Sequence, residues 1–168
     1  RSSDLGRGEI GQAVGRLAQA LGMQVQFAER KGSQTVRDGY VSFEQMLATS
    51  DVISLHCPLS DQTRQMIDRE ALAKMKPQAL LINTARGGLI NEADLAAALA
   101  QRVIGGAALD VLSSEPPAAD NPLLADLPGL LLTPHIAWAS RSGAENLVKG
   151  VMKNIAASLQ GEPINVVS

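Results

Sequence analysis

A short glycine-rich run constrains the fold of this 168-residue chain more than any other feature. The run, Gly6-Arg7-Gly8-Glu9-Ile10-Gly11, has the spacing G-x-G-x-x-G and stands at the start of a helical pattern. Beyond it, apolar residues recur at helical spacing, at Ile10, Val14, Leu17 and Leu21. This spacing predicts a helix with one apolar stripe, which Gly22 ends. The run therefore predicts a tight turn from a strand into a helix.

The residues after this helix add a second part to the pattern. Residues 23–28 form a short extended run, and Glu29 follows it directly. Glu29 lies close to the offset of about 20 residues past Gly11 at which an acidic residue accepts hydrogen bonds from a ribose. In such a turn the first glycine permits the bend, the second lets a pyrophosphate approach the backbone, and the third brings the helix close to the strand. The combined pattern predicts a dinucleotide site that contains Gly6, Gly8, Gly11 and Glu29.

The segment before the glycine turn does not fit this pattern. A central parallel strand is buried on both faces and should be apolar, but residues 1–5 read Arg-Ser-Ser-Asp-Leu, and only Leu5 is suitable. Two explanations stay open. Either the true strand is lost at a truncated start, or this strand is replaced and weakened.

Composition narrows the class of protein. Hydrophobic residues make up 45% of the chain and charged residues 19%, as in a globular domain. The net charge is −2, so no basic surface suggests a nucleic acid or an anionic membrane as a partner. No apolar run approaches a membrane span. The single cysteine, Cys57, permits no internal disulfide, which fits a reducing, cytoplasmic compartment.

Strand-like and helix-like segments alternate along the rest of the chain. Apolar runs predict strands at 51–57, 79–83, 104–111 and 130–133. Helical patterns predict helices at 43–47, 69–75, 92–99 after an Asn91 N-cap, and 147–159, which Gly161 ends. Residues 31–41 and 114–128 are predicted loops. The alternation predicts an α/β fold, a Rossmann-type doubly wound parallel sheet.

Ligands of such sheets bind beyond the carboxyl ends of the strands. The segments predicted at those ends are 6–11, Glu29, 56–59, 84–88, 110–115 and 133–138. They contain most of the residue types that perform chemistry, namely Arg86, Asp110, Glu115 and His135. We therefore expect these residues along one crevice.

Each candidate side chain has a functional and a structural interpretation. Arg86 either binds the carboxylate of a ligand through its planar guanidinium group or forms a structural ion pair with an acidic side chain, and neither interpretation is favoured. His135 suits proton exchange with a hydroxyl or carbonyl oxygen, with Glu115 as a partner that fixes its tautomer. The alternative is an N-capping histidine and a solvated glutamate. His56 is interpreted as structural or cofactor-lining, and Cys57 as a buried small residue. Two histidines and one cysteine form no zinc pattern.

Four segments resemble the D-isomer-specific 2-hydroxyacid dehydrogenase family. They are His56-Cys57-Pro58-Leu59, Ile82-Asn83-Thr84-Ala85-Arg86-Gly87-Gly88, Ala107-Ala108-Leu109-Asp110-Val111 with Glu115-Pro116, and Thr133-Pro134-His135. With the glycine turn they cover nearly the whole chain in the family's order. Residues 112–117 and 120–124 look most like the bacterial glycerate dehydrogenase, or hydroxypyruvate reductase, branch.

The resemblance implies hydride transfer between NAD(P)H and a small 2-oxo or 2-hydroxy acid, such as hydroxypyruvate/D-glycerate or glyoxylate/glycolate. It implies that Arg86 holds the substrate carboxylate, that His135 is the acid and base, and that Glu115 is the partner of His135. The cofactor-binding residues that it implies, together with those of the glycine turn, are Gly6, Gly8, Glu9, Ile10, Gly11, Glu29, Cys57, Pro58, Thr84, Ala85, Arg86, Asp110, His135, Ala137 and Trp138.

The choice between NAD and NADP is open at this point. Glu29 repels a 2′-phosphate and favours NAD, but Arg30 and Lys31 follow it directly and could attract that phosphate. NAD is therefore the expected cofactor, with NADP possible.

The resemblance also has implications for domain organisation. In this family the cofactor domain is inserted within a substrate domain, and dimers pair through the cofactor domain. Residues 1–168 are then expected to be a cofactor domain with its C-terminal helix, without the N-terminal substrate portion, and the assembly a homodimer. Such a fragment is expected to bind cofactor weakly and to turn over slowly, because no second wall excludes water.

Two other classes stay open. The chain also resembles the C-terminal-binding-protein corepressors, so an NAD(H)-sensing binding protein of the same fold is an alternative. A degraded fragment without activity is another, and Asp4 in a nominally buried strand is its main support.

Overall fold

The computed structural model describes residues 2–166, without the side chains of residues 2–5. The predictions about the polar side chains of Arg1 and Asp4 lie outside the described residues. The chain divides into two compact units, Arg1–Pro134 and His135–Ser168, and each is described by itself.

The first unit contains one seven-stranded parallel sheet. Its strands are β1 Ser2–Leu5, β2 Val25–Ala28, β3 Tyr40–Val41, β4 Val52–Leu55, β5 Leu80–Asn83, β6 Gly106–Leu109 and β7 Leu130–Leu132. The strand order is β3-β2-β1-β4-β5-β6-β7. Strands β1 to β3 follow one another toward one edge of the sheet, and β4 to β7 follow one another from β1 toward the other edge. This is the doubly wound order, so the predicted Rossmann-type sheet is confirmed.

The uncertain first strand is formed and central. Backbone pairing places Asp4 beside Phe27 of β2 on one side and beside Ser54 of β4 on the other. Hydrogen bonds from two neighbouring strands therefore hold β1 in register despite its polar sequence.

Four helices belong to the first unit: α1 Glu9–Ala20, α2 Phe43–Thr49, α3 Arg69–Lys74 and α4 Glu92–Ala100. Side chains cap the last three, because Ser42, Asp68 and Asn91 accept hydrogen bonds from the amides of Gln45, Ala71 and Asp94. The predicted Asn91 cap is confirmed. Leu47, Ile53, Leu55, Leu81 and Leu95 are fully buried in the core between sheet and helices.

Helix α1 turns its apolar stripe in an unexpected direction. Ile10, Leu17 and Leu21 are exposed, whereas Gly11, Gly15 and Ala18 are buried. A Cβ atom on Gly15 would lie 3.4 Å from side-chain atoms of Phe27 and Val25 in β2. The helix therefore lies so close to the sheet that only small residues fit beneath it, and large residues that recur at the same spacing face outward.

Two predicted loops contain ordered structure. Tyr40–Val41, inside the predicted loop 31–41, forms β3 by pairing with Phe27–Ala28. Pro122–Leu124, inside the predicted loop 114–128, forms a 3₁₀ turn that Asn121 caps. Strands as short as β3 carry too little period-2 pattern to be distinguished from a loop by sequence.

The second unit contains helix α5, Arg141–Leu159. It begins earlier than its apolar pattern suggests, because Ser140 caps it through the amide of Gly143. Gly161 follows with a φ of +78°, as expected for a helix stop. Its apolar side chains Leu147, Val148, Val151, Met152, Ile155 and Leu159 are exposed. Within residues 2–166, no helix combines the length and the apolar character needed to cross a bilayer.

The turn from β1 into α1 depends on Gly6. Its φ is +119°, and a Cβ atom there would lie 2.6 Å from the carbonyl carbon of His56. Gly22 has a φ of +82° but open space around it. Substitutions at both positions therefore distinguish two costs. A side chain at Gly22 would meet only the strain of a positive φ, whereas one at Gly6 would also clash with the neighbouring backbone.

We expect Gly22→Ala to lower the free energy of unfolding by about 1–2 kcal/mol, the cost of a left-handed residue with a Cβ. Gly6→Ala should cost about 1–3 kcal/mol more, because the neighbouring backbone has to move. Urea denaturation of both variants measures the difference. Equal losses would contradict a close approach of Gly6 to β4.

Candidate functional site

The glycine turn forms one wall of a cleft of about 670 Å³ in the first unit. Gly6 and Gly8 line it on one side, and His56, Cys57 and Pro58, which follow β4, line it on the other. The cleft therefore lies beyond the carboxyl ends of β1 and β4, where the strand order reverses. This is where doubly wound sheets bind their ligands.

The start of α1 suits a pyrophosphate. Gly8 precedes the helix, and a Cβ atom on it would meet nothing within 4 Å. Among the described side chains none caps this end of the helix, in contrast to α2, α3 and α4. Open backbone and uncapped amides at the positive end of a twelve-residue helix are what a diphosphate needs. The residues present therefore fit a dinucleotide cofactor.

Glu29 stands at the end of β2, as predicted, but its carboxylate is already engaged. Arg37 donates to Oε1 of Glu29 from its backbone N–H at 2.9 Å and from Nε at 2.7 Å, and to Oε2 from Nη2 at 3.0 Å. The side-chain hydrogen bonds from Arg37 lower the pKa of Glu29. The same contact raises the pKa of Arg37. This partner could not be predicted from the sequence, because Arg37 lies in a loop without periodicity.

The two basic residues after Glu29 point in different directions. The guanidinium Nη1 of Arg30 donates to Oε1 of Gln62 at 3.1 Å and lines the large cleft. The ammonium of Lys31 instead donates to a carboxylate oxygen of Asp68 and, at 3.4 Å, to the carbonyl of Met66. Lys31 is therefore held by an acidic side chain, whereas Arg30 has an amide oxygen as its partner.

His56 and Cys57 follow β4 at the base of the cleft. Nε2 of His56 lies 2.9 Å from Oγ of Ser54, and burial lowers the pKa of this half-buried imidazole. Cys57 is buried, and its burial raises the pKa of the thiol. A thiol of raised pKa is a poor nucleophile at neutral pH, which supports the interpretation of Cys57 as a packing residue.

Arg86 lies on a turn that Asn83 organises. Asn83 ends β5 and is fully buried; its Nδ2 donates to the carbonyl of Arg86 at 2.9 Å, and its Oδ1 accepts from the amide of Ala85 at 3.0 Å. The amide of Asp110 donates to the carbonyl of Asn83 at 2.9 Å. Sequence reasoning missed Asn83, although a polar residue at the end of a buried strand is a recognisable signal.

The guanidinium of Arg86 is exposed, and its Nη1 donates to the carbonyl of Ala85 at 2.6 Å. Among the described residues, no carboxylate forms an ion pair with it. Within the part of the chain that the structure describes, the structural ion pair considered for Arg86 is therefore absent.

A smaller cleft of about 290 Å³ brings together residues from three strand ends. Its lining contains six of the predicted cofactor-binding residues and His56: Ile10, His56, Cys57, Pro58, Thr84, Ala85 and Arg86. Three of the six predicted strand-end segments, 6–11, 56–59 and 84–88, therefore meet in this cleft, whereas Asp110, Glu115 and His135 are not part of its lining.

Asp110 and Glu115 follow β6. Asp110 is buried and accepts a hydrogen bond of 2.5 Å from Oγ1 of Thr133, the residue after β7. Glu115 is exposed, and its Oε1 accepts from the amide of Leu112 at 3.1 Å. The carboxylate of Glu115 is thus held against its own loop.

His135, Ala137 and Trp138 belong to the second unit. His135 has a φ of +54°, and its carbonyl accepts a hydrogen bond of 2.9 Å from Nε1 of Trp138. The described side chains of both units contain no cluster of three or more histidines, cysteines or carboxylates that could hold a metal.

The switch-point cleft, the open glycine turn and the uncapped helix define the first unit as a dinucleotide-binding domain of the Rossmann type. Residues 5–137 match the model of the D-isomer specific 2-hydroxyacid dehydrogenase family, NAD binding domain. The chain belongs to this family.

Similarity to known proteins in sequence and in structure supports this assignment. The chain is 46% identical to a glycerate dehydrogenase of Methylorubrum extorquens over 97% of this chain and 51% of that protein. It is 41% identical to a hydroxypyruvate reductase of Blautia hydrogenotrophica over 98% of this chain and 52% of that protein. An acyclic imino acid reductase solved in complex with NADPH and D-Arg superposes with a TM-score of 0.86 at 35% identity, over 99% of this chain and 53% of that one. The chain thus spans about half the length of these relatives.

Asn83 provides a test of how the Arg86 turn is held. Asn83→Ala should lower the free energy of unfolding by about 1–3 kcal/mol and expose the amide of Ala85 to hydrogen exchange, because a buried partner is lost. Asn91→Ala is a matched control that removes only a helix cap, at a cost of about 0.5–2 kcal/mol. Exchange measured residue by residue should leave Ala85 protected in that control. Unchanged protection of Ala85 in Asn83→Ala would contradict this role.

Proposed function

We propose that this chain provides the cofactor side of an oxidoreductase that interconverts small 2-oxo acids and D-2-hydroxy acids with NAD(P)H. Hydroxypyruvate/D-glycerate is the preferred substrate pair, and glyoxylate/glycolate the second choice. The observation that carries the proposal is the convergence of Ile10, Thr84 and Arg86 on one cleft in a chain of this family.

Arg86 is proposed to bind the substrate carboxylate. Its guanidinium is exposed beside the cleft and, among the described side chains, has no carboxylate as a partner. A planar guanidinium binds a carboxylate through two parallel hydrogen bonds and so orients the substrate. Asn83 supports this role because it fixes the backbone on both sides of the turn.

His135 is proposed to hold the proton that reaches the carbonyl oxygen on reduction and to accept it on oxidation. Glu115 is proposed to be the partner of His135 in this proton transfer. When bound, the nicotinamide supplies or accepts the hydride. Asp110 is proposed to lie on the nicotinamide side, and Ala137 and Trp138 to contact the cofactor.

The test is NADH and NADPH oxidation by the complete gene product with hydroxypyruvate and with glyoxylate. Arg86→Lys keeps the charge but loses the planar fork, so KM for the 2-oxo acid should rise about 10- to 100-fold. His135→Gln should lower kcat by about 10²- to 10⁴-fold. Arg16→Lys, on the exposed face of α1, is the matched control and should behave as the unmodified protein.

Saturable cofactor binding without turnover of either acid would contradict the proposed activity. That result would favour the cofactor-sensing alternative. Unchanged kinetics in Arg86→Lys would exclude the assigned role of Arg86 while leaving the activity intact.

We further propose a homodimer, as the resemblance implies, with the segment around residues 120–124 as a candidate contact. Leu124 in this segment and Leu131 in β7 are exposed. Sedimentation equilibrium of the complete gene product should give twice the chain mass. A monomer at micromolar concentration would contradict the proposed homodimer.

The single thiol of Cys57 is the basis for a proposed cytoplasmic location.

A further inference from the structure

We infer that Arg37 makes this domain selective for a cofactor with a phosphomonoester on the adenosine 2′-oxygen, so that NADPH binds more tightly than NADH. The inference deepens the proposed function and rests on it, because it concerns the adenosine end of the same cofactor cleft. Glu29 alone predicts the opposite preference.

The first step is the loss of Glu29 as a free anion. Its side chain is 7% exposed, and Arg37 binds both of its carboxylate oxygens. The backbone amide of Arg37 gives Oε1 a further donor. A 2′-phosphate at this position therefore meets a neutralised ion pair rather than an isolated carboxylate.

The second step is the position of the guanidinium. The side chain of Arg37 is 63% exposed, and its Cζ lies 4.0 Å from the ring centroid of Tyr40. Arg37 donates to Glu29 through the N–H of Nε and through one of the two N–H groups of Nη2. A guanidinium has five N–H donors, so three remain for a phosphate. The ion pair and the ring hold the group in place, which lowers the entropy lost on binding.

The third step is the charge around it. The lining of the 670 Å³ cleft contains Arg7, Arg30 and Arg37, and Asp61 is its acidic residue. A neighbouring cleft of about 540 Å³ is lined by Glu29, Arg30, Lys31, Gly32, Ser33, Arg37 and Gln62. The Cζ atom of Arg7 lies 5.0 Å from the ring centroid of Phe27. Both clefts thus carry an excess of positive charge, which attracts the additional dianionic group of NADPH.

Titration of the complete gene product with NADPH and NADH tests the inference by binding alone. A second probe pair, adenosine 2′,5′-bisphosphate and 5′-AMP, differs only in the 2′-phosphate and can be followed by calorimetry. The 2′-phosphorylated member of each pair should bind at least about tenfold more tightly, a factor that corresponds to about 1.4 kcal/mol.

Three variants separate the contributions. Arg37→Gln should weaken NADPH at least about tenfold and change NADH by less than about threefold, because a charged contact to phosphate is lost. Glu29→Gln keeps the guanidinium and removes the anion, so it should retain or increase the preference for NADPH. Arg16→Gln removes the same charge from the exposed face of α1 and should leave both affinities unchanged.

Tighter or equal binding of NADH, or an unchanged ratio in Arg37→Gln, would overturn the inference. Arg37 would then only orient Glu29 toward a ribose hydroxyl, and the proposed function would stand. Binding of none of the four probes would remove the cofactor assignment together with the inference.

Discussion

The close approach between α1 and the sheet is the constraint on which the cleft depends. Gly11, Gly15 and Ala18 allow it, and Gly6 allows the chain to pass the backbone of His56 before the helix begins. A Cβ atom at Gly6, or a side chain larger than that of alanine at Gly15, would push the helix away and move its first amides from the strand ends. The position of those amides decides where a pyrophosphate can lie. Residues with little or no side chain thus determine where the anion site lies.

Sequence reasoning predicted the order of elements well because parallel strands in this fold are short apolar runs between helices. The orientation of α1 was not predicted. A regular series of Ile10, Leu17 and Leu21 normally indicates the buried face of a helix. Here the sheet is too close for large residues, so the glycine spacing identified the buried face and the apolar spacing did not. β3 was missed because two residues contain no period.

Site residues could be predicted where their place in the chain, directly after a strand, also determines their place in the fold. Residues that directly follow strands, such as Thr84 and Arg86, could be placed on one edge from the strand order alone. Asn83 and Arg37 could not be found in this way, because each acts through a partner rather than through a motif. The ion pair of Arg37 with Glu29 requires a loop to fold back on itself, and the sequence contains no spacing rule for such a loop. Lys31, which looked like a phosphate ligand, is instead paired with Asp68.

The loop that contains Arg37 has an evolutionary consequence. The fully buried side chains that hold the sheet and helices together lie outside residues 30–39, and the turn that receives the pyrophosphate precedes this loop by more than the length of α1. Substitutions in the loop therefore change the charge that lines the two clefts and leave the fully buried core side chains in place, although Arg37 itself pairs with the buried Glu29. If Arg37 selects the cofactor as proposed, a lineage carrying this domain can change between NADH and NADPH through a few substitutions in this loop. Its chemistry and its metabolic supply of electrons can then evolve independently.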